Sequence, residues 1–356
     1  MNYIWSKYSL LNFIDWWINK ITNWNFKSFA DLFAGTWIVW RYFKKKWYKI
    51  IANDIQYFSY VLNRHYIWNH SILEFNWLIK EIKDLWDVPI EYRPKIVCER
   101  LNTLSPVKWF IYENYSPGWT KNKPYQRLYF TDENAAKIDA IRLQIEKWKK
   151  EKKITDDEYY FLLTTLLEAA DKVANTASVY EAFLKRFKKS ALKPLKLVPV
   201  ELIINDLEHE VYNFDINKFV IWKKFDVVYL DPPYNRRQYS SNYHILETIA
   251  KYDNPVIIWK TWIRYEPEKK SLYCMKSKVK EAFKDLINKI KANYIFLSYN
   301  DEWLLSLEEI KEILSKKGEY WYFAIDYSRF KSDKDSNRQY RKKKVIEYLH
   351  YVKIIG

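Results

Sequence analysis

Glycine is almost missing: the chain of 356 residues holds 4, where an average composition would give roughly 25. Backbone turns that need a left-handed residue therefore have few ordinary candidates to fill them. Cysteine is scarce as well. Cys98 and Cys274 make no disulfide framework, and they do not form a pair with zinc-ligand spacing. The five histidines, His65, His70, His209, His244 and His350, form no HExxH or HxH group, so no metal site is expected. No apolar run approaches the roughly 18 residues of a membrane-spanning helix. The opening Met1-Asn2-Tyr3-Ile4-Trp5-Ser6-Lys7 lacks the charged, apolar and small-residue succession of a signal peptide. The expectation is a soluble, cytoplasmic chain without membrane contact.

Cations and tryptophans are abundant. Sixty Lys and Arg stand against 44 Asp and Glu, giving a net charge of +16. That excess suits a polyanionic partner, because clustered cations release counterions from phosphates; a lysine-rich composition throughout would give the same figure. Tryptophan occurs 18 times, which inflates an aromatic content that would otherwise suggest base-stacking surface.

Hydrophobic patterning gives an α/β layout. Phe29-Ala30-Asp31-Leu32-Phe33 is an apolar run broken by Ala34-Gly35-Thr36, after which Ile38 to Phe43 continues in helical register. Lys49-Ile50-Ile51-Ala52-Asn53 is a second strand ending at Asp54. This strand–helix–strand order implies a parallel sheet. Between about 79 and 200 helices dominate. Thr131 opens one with Ile138, Ile141, Ile145 and Trp148 on a single face, and Thr155 with Glu158 forms a capping box before another, striped by Leu162, Leu163, Leu166, Leu167 and Ala170. Glu113 to Thr120 reads as a polar loop. Strand patterns resume at Phe225–Leu230, Tyr294–Tyr299 and Val345–Leu349. The divisions are 1–78, a helical insert over 79–200, and 201–356.

Asp231-Pro232-Pro233-Tyr234, at the carboxyl end of a strand, is the sharpest chemical signal. An aromatic amino group is a poor nucleophile because its lone pair is delocalised into the ring. The Asp231 carboxylate and Pro232 carbonyl can accept its two hydrogens and concentrate density on nitrogen, while consecutive prolines fix that carbonyl. Tyr234 offers a face on which an extruded base stacks. Asp31 to Thr36 forms the turn where amides cradle a nucleotide-like ligand, and Asp54, about 20 residues beyond Gly35, suits ribose hydroxyls. By itself that second pair fits a dinucleotide equally well.

Together these motifs resemble the DNA adenine methyltransferases of the Dam-like, Asp-Pro-Pro-Tyr type (alpha group). Tyr3-Ile4-Trp5-Ser6-Lys7 is similar to the family's opening motif, Phe33-Ala34-Gly35-Thr36-Trp37 to its cofactor loop, and the order of elements matches along nearly the whole chain. The resemblance implies a Rossmann-like class I methyltransferase sheet with a helical target-recognition insert. It also implies S-adenosylmethionine as methyl donor, no metal, and direct transfer to a flipped adenine in double-stranded DNA. Asp231, Pro232, Pro233 and Tyr234 are the expected catalytic residues. Tyr3, Lys7, Phe33, Gly35, Asp54 and Asp215 are expected at the cofactor, and Arg236, Arg237, Gln238, Asn114 and Lys121 at DNA. A separate cognate restriction endonuclease and a monomeric chain complete the picture. A catalytically inactive DNA-binding relative and a cytosine-N4 methyltransferase stay open beside it.

One departure runs through these motifs. Trp37 stands where the cofactor loop needs its second glycine, Trp5 replaces the glycine of the opening motif, Trp40 lies where a small residue is usual, and Trp47 follows Lys44-Lys45-Lys46 where a helix wants a C-terminal glycine. The codon UGA means glycine in some bacterial codes and tryptophan in another. Decoding by the wrong table accounts for every case, and most or all of the 18 tryptophans are then expected to be glycine in the native protein.

Overall fold

The computed structural model describes residues 7–35, 38–177, 179–233, 236–258, 263–264, 266, 270–301, 304–328 and 344–354. The chain divides into two compact units. A sheet unit comprises 4–63, 206–240 and 267–356, and a helical unit comprises 1–3, 64–205 and 241–266. The changeovers thus fall at 63/64 and 205/206 instead of 78/79 and 200/201. Segment 241–266 also joins the helical unit, through a contact distant in sequence. Within its helix His244–Lys251, the carbonyls of Ile249 and Ala250 accept from the buried Arg142 guanidinium at 3.0 and 3.1 Å.

Among the described residues the sheet unit holds seven strands: β1 (Ser28–Asp31), β2 (Lys49–Asn53), β3 (Glu210–Tyr212), β4 (Lys224–Leu230), β5 (Lys291–Asn300), β6 (Glu319–Ser328) and β7 (Lys344–Lys353). Their spatial order is β3-β2-β1-β4-β5-β7-β6. The β3-to-β5 pairings are parallel, and β7 runs antiparallel to both β5 and β6. This is a Rossmann-like arrangement, and the strand order reverses direction between β1 and β4, where such sheets bind ligands. Buried Val228, Leu230, Ile295 and Leu297 pack against Phe283, Leu286 and Ile287 of the helix Val279–Lys289. Each such side chain contributes about 1.5–3 kcal/mol. Strand β1 stops at Asp31, two residues short of the expected apolar run, because the chain turns toward its neighbours. The Leu32 amide donates to the Tyr229 carbonyl at 3.3 Å and the Ala34 amide to the Asn53 carbonyl at 3.1 Å.

The helix Ile38–Lys45 ends in a complete Schellman motif. The Trp47 amide donates to the Lys44 carbonyl at 3.0 Å and the Tyr48 amide to the Phe43 carbonyl at 3.2 Å, with the Tyr48 and Phe43 rings 5.9 Å apart. Trp47 has φ of 64° there, and Trp24, after the helix Leu11–Thr22, has φ of 58°. Both are left-handed positions that favour glycine.

In the helical unit Asp132–Lys150 and Asp156–Val173 are the two longest helices. Thr131 accepts from the Asn134 amide, and Thr155 with Glu158 makes both capping-box bonds, at 3.2 and 2.8 Å. The predicted stripes of both helices are buried. The segment 113–120 departs from the expected polar loop. It is the end of helix Phe110–Tyr115, a break at Ser116, and a short helix Pro117–Thr120. The Asp132 carboxylate accepts from Ser116 Oγ at 2.6 Å and from the Gly118 amide at 2.7 Å, so a partner 14 residues away organises what locally reads as turn formers. A Cβ on Gly118 would lie 2.3 Å from that carboxylate. Among the described residues no helix is long and apolar enough to cross a membrane.

Candidate active site

The parallel register carries the carboxyl ends of β1 and β4 to one edge. Asp31 pairs with Tyr229, so Asp31 and Asp231 flank the switch point on adjacent strands. Lys7, from the turn preceding the first helix, reaches the same place. Its Nζ lies 3.5 Å from Asp231 Oδ1 and makes a closer ion pair with Glu347 of β7. Ser298 of β5 donates its hydroxyl to Glu347 Oε1 at 2.9 Å. The cluster therefore gathers two carboxylates, Asp231 and Glu347, around one ammonium, with Asp31 on the adjacent strand feeling the charge of Asp231.

Burial and charge shape their protonation. Burial raises Asp231 to about 6; Lys7 opposes this and Glu347 adds to it. Asp31 is held well above the carboxylate range by burial and by the charges of Asp231 and Asp54, although the Phe33 amide hydrogen-bonds to it. Its Oδ1 is buried with no protein partner among the described residues. Burial alone would lower Lys7, but Asp231 and Glu347 reverse that and hold the ammonium above its ordinary value. The Tyr229 hydroxyl, under the same edge, is raised far above normal by burial and by Asp231.

The neighbouring turn is tied together by Asp54. Its carboxylate accepts from the Gly35 amide at 2.8 Å and from the Gln56 amide at 2.8 Å. Gly35 takes φ of 50°, a conformation open to glycine, its amide held by Asp54 and its carbonyl accepting from the Ser59 hydroxyl. Asn53 extends the lacing to β3 by exchanging bonds with Phe214, 3.0 and 3.1 Å. Asp215 follows directly and is exposed, its carboxylate accepting from the Asn217 amide at 2.9 Å. Phe33 is half-buried with its ring edge-on to Tyr273 at 5.0 Å.

The structure thus brings Lys7, Gly35, Asp54, Asp231 and the buried Pro232 to one edge of one sheet, with Pro233 beyond. Tyr3, Thr36, Trp37 and Tyr234 lie outside the described residues. Arg236 and Arg237 are exposed just past the Asp-Pro-Pro segment. Gln238 is engaged differently: its amide donates to the Ser271 carbonyl at 3.2 Å and accepts from the Ser271 amide at 2.8 Å, a clasp that fixes the loop. Asn114 and Lys121 sit in the helical unit. Asn114 is half-buried and donates to the Phe110 carbonyl at 2.8 Å, whereas Lys121 is exposed. Both cysteine thiols are buried and pushed up to about 12, which leaves no ready thiolate nucleophile.

Sequence reading passed over Glu347 and Ser298. The signal was available for the former: Val345, Glu347 and Leu349 share the buried face of β7 by the two-residue period, and an acid on such a face needs a partner.

Residues 3–315 match the family model described as D12 class N6 adenine-specific DNA methyltransferase. The type II methyltransferase M.NlaIII of Neisseria lactamica is 46% identical over 353 residues, covering 98% of each chain. M.FokI of Planomicrobium okeanokoites is 39% identical across 99% of this chain and 52% of its own length. M.CviAII of Paramecium bursaria Chlorella virus 1 is 34% identical across 99% of this chain and 98% of its own.

Proposed function

The chain belongs to the D12 class N6 adenine-specific DNA methyltransferases, and from that premise we propose which of its residues carry the reaction. It is a site-specific DNA adenine methyltransferase, and its relatives are named type II methyltransferases and modification methylases. We infer that it serves as the modification half of a restriction–modification system in the cytoplasm, acting as a monomer on double-stranded DNA beside a separate endonuclease. The order of its motifs supports the Dam-like, alpha-group branch.

The observation that carries the site reading is the convergence of Asp31, Asp231 and Lys7 at the β1/β4 switch point. S-adenosylmethionine, when bound there, supplies a methyl group activated by a positively charged sulfur. The residues present fit such a cation: Asp231 and Glu347 share one ammonium, and Asp31 Oδ1 is a buried acceptor without a protein donor among the described residues. Gly35 allows the loop to approach, Asp54 fixes the loop, and Tyr3, Lys7, Phe33 and Asp215 complete the cofactor set. The Asp231 carboxylate and the Pro232 carbonyl accept the two hydrogens of the target amino group, with Pro233 holding the turn and Tyr234 stacking on the extruded base. With the amino group so held, its nitrogen would be directed at the methyl group that the donor supplies, and Asp231 would take the nitrogen-bound proton that transfer releases. Most of the rate comes from orientation and electrostatics. Arg236 and Arg237 hold phosphates of the flipped strand, with Gln238 shaping their loop, while Asn114 and Lys121 contribute to target recognition in the helical unit.

Label transfer from methyl-labelled S-adenosylmethionine to unmethylated double-stranded DNA tests this. Label in N6-methyladenine is the expected result, and methylation-sensitive sequencing then gives the site. Label in cytosine overturns the assignment to adenine, and DNA binding with no label in any base favours an inactive relative.

A second reading concerns the tryptophans, and two backbone angles favour it. Trp24 and Trp47 occupy left-handed positions while 63% exposed, which suits glycine and not an indole. Trp40 supports it too, being fully buried in a helix with its Nε1 lacking a partner among the described residues. We infer that these positions, with Trp5 and Trp37, are glycine in the native protein. Peptide mass spectrometry on protein from the source cells decides it; tryptophan at 24, 37 and 47 refutes it.

A further inference from the structure

We propose that Glu347, at the far end of the chain from the motifs, is a positioning residue for methyl transfer. It shares the Lys7 ammonium with Asp231 and so sets where that ammonium sits and how much of its charge Asp231 feels. The proposal rests on the reading of Asp231 as the acceptor for the target amino group.

The geometry carries it. Lys7 Nζ is bound more closely to Glu347 than to Asp231, which it meets at 3.5 Å, so the carboxylate of β7 holds the better share of the cation. Glu347 is itself fixed, being 3% exposed and accepting from Ser298 Oγ at 2.9 Å. Lys7 is equally buried at 5%. An ammonium held in this fork sees Glu347 with little water to screen it, and Asp231, whose side chain is 20% exposed, at the rim of the fork. Were Glu347 absent, Lys7 could close on Asp231 as a full ion pair. That would neutralise the acceptor and draw it away from the amino group. Were Lys7 absent, the buried Glu347 and the half-buried Asp231 would repel each other and favour a proton on Asp231. The fork keeps Asp231 between these extremes.

The groups facing Asp231 are Lys7 from the N-terminal turn, Asp31 of β1, Tyr229 of β4 and Glu347 of β7; Ser298 of β5 braces Glu347. Two of these predict opposite signs. Glu347 raises Asp231, so Glu347→Gln moves the acid limb of kcat to lower pH. Lys7 lowers Asp231, so Lys7→Gln moves it to higher pH.

The test measures kcat against pH for the full chain, in the decoded form that methylates, on unmethylated bulk DNA with labelled S-adenosylmethionine. Wild type, Glu347→Gln, Lys7→Gln and Asp231→Asn are compared. The expected result is a limb displaced downward by about half a pH unit or more in Glu347→Gln and upward in Lys7→Gln, with kcat of Glu347→Gln reduced about tenfold at its optimum. A Glu347→Gln profile that superimposes on wild type, or that falls uniformly at all pH values, overturns the proposal and leaves Glu347 a structural residue. Should Glu347→Gln fail to fold by thermal melting, Ser298→Ala replaces it. Without that donor Glu347 draws harder on Lys7, so the limb must rise; an unmoved limb overturns the proposal equally. Wild-type activity in Asp231→Asn would instead refute the reading of the acceptor, an outcome distinct from all of these.

Discussion

Exchanging Trp47 for glycine and for alanine separates backbone strain from side-chain loss. Trp47 is 63% exposed, so the covered part of the indole is on the order of 80 Å², or about 2 kcal/mol as an upper bound at 25 cal/mol/Å². Its left-handed backbone, with φ of 64°, costs a non-glycine residue about 1–2 kcal/mol. Against tryptophan itself the glycine variant therefore comes out near zero, and the informative comparison is glycine with alanine. Both lose the indole, but only alanine keeps the Cβ that the left-handed conformation disfavours. Trp47→Gly is expected to exceed Trp47→Ala in stability by about 1 kcal/mol, the reverse of the order inside a helix. Gln144, within the helix Asp132–Lys150, is the internal control, where alanine should exceed glycine by about 1 kcal/mol. Urea denaturation read by circular dichroism, with amide exchange at residues 47 and 48 to report on the Schellman bonds, measures both pairs. Alanine at 47 equal to or more stable than glycine would refute the strain argument and remove the main support for a native glycine there.

Three further outcomes follow from the site and the helical unit. Methyl transfer should decline as pH falls through about 6, where Asp231 takes up a proton and loses its charge; Asp231→Asn should lower kcat at least about 100-fold and abolish that limb. Arg236→Ala and Arg237→Ala should each reduce the salt dependence of DNA binding by about one phosphate contact, measured by titrations at several salt concentrations; an unchanged slope would place both side chains off the DNA. Thr155→Ala removes one half of a capping box and should cost about 1 kcal/mol by denaturant unfolding, with no loss implying that water replaces the hydroxyl.

Features that were legible in the sequence are local. The strands β2, β4 and β5 and both helix caps follow from residue periods and from side chains that reach only three positions along the chain. Strand β3 escaped notice because three residues carry no period. Strand β6 is a run of aromatics without clear alternation, and it acquires its role by pairing with β7. The limits of the helical unit depend on Arg142 meeting carbonyls 107 and 108 residues away, which no local pattern encodes. The same holds for the acid cluster at the sheet edge. Asp231 was found through its motif, but the Glu347 contact spans 340 residues and exists only because β7 inserts beside β5. The short helices around Ser116 were misread for a related reason: their organising carboxylate lies on another element.

The acid cluster itself makes a final prediction, because it breaks a rule that stable folds obey. Asp31 and Asp231 are both raised above their ordinary values, foremost by burial and then by like charges. For an acid raised in the folded state, the associated stability is complete below the unfolded value and is lost as pH climbs through the folded one. For Asp231 that loss runs from 3.8 to about 6, so at neutral pH the ligand-free site works against the fold. Unfavourable charge arrangements of this kind persist where function needs them, and a bound cation removes the penalty by stabilising the ionised carboxylates. Binding of S-adenosylmethionine near pH 6 should therefore release protons, and S-adenosylhomocysteine, whose sulfur is neutral, should release fewer. Calorimetric titration in buffers of different ionisation enthalpy reads the proton count directly. Equal release by the two ligands would mean that the carboxylates do not sense the sulfonium charge, and the cluster would need another explanation.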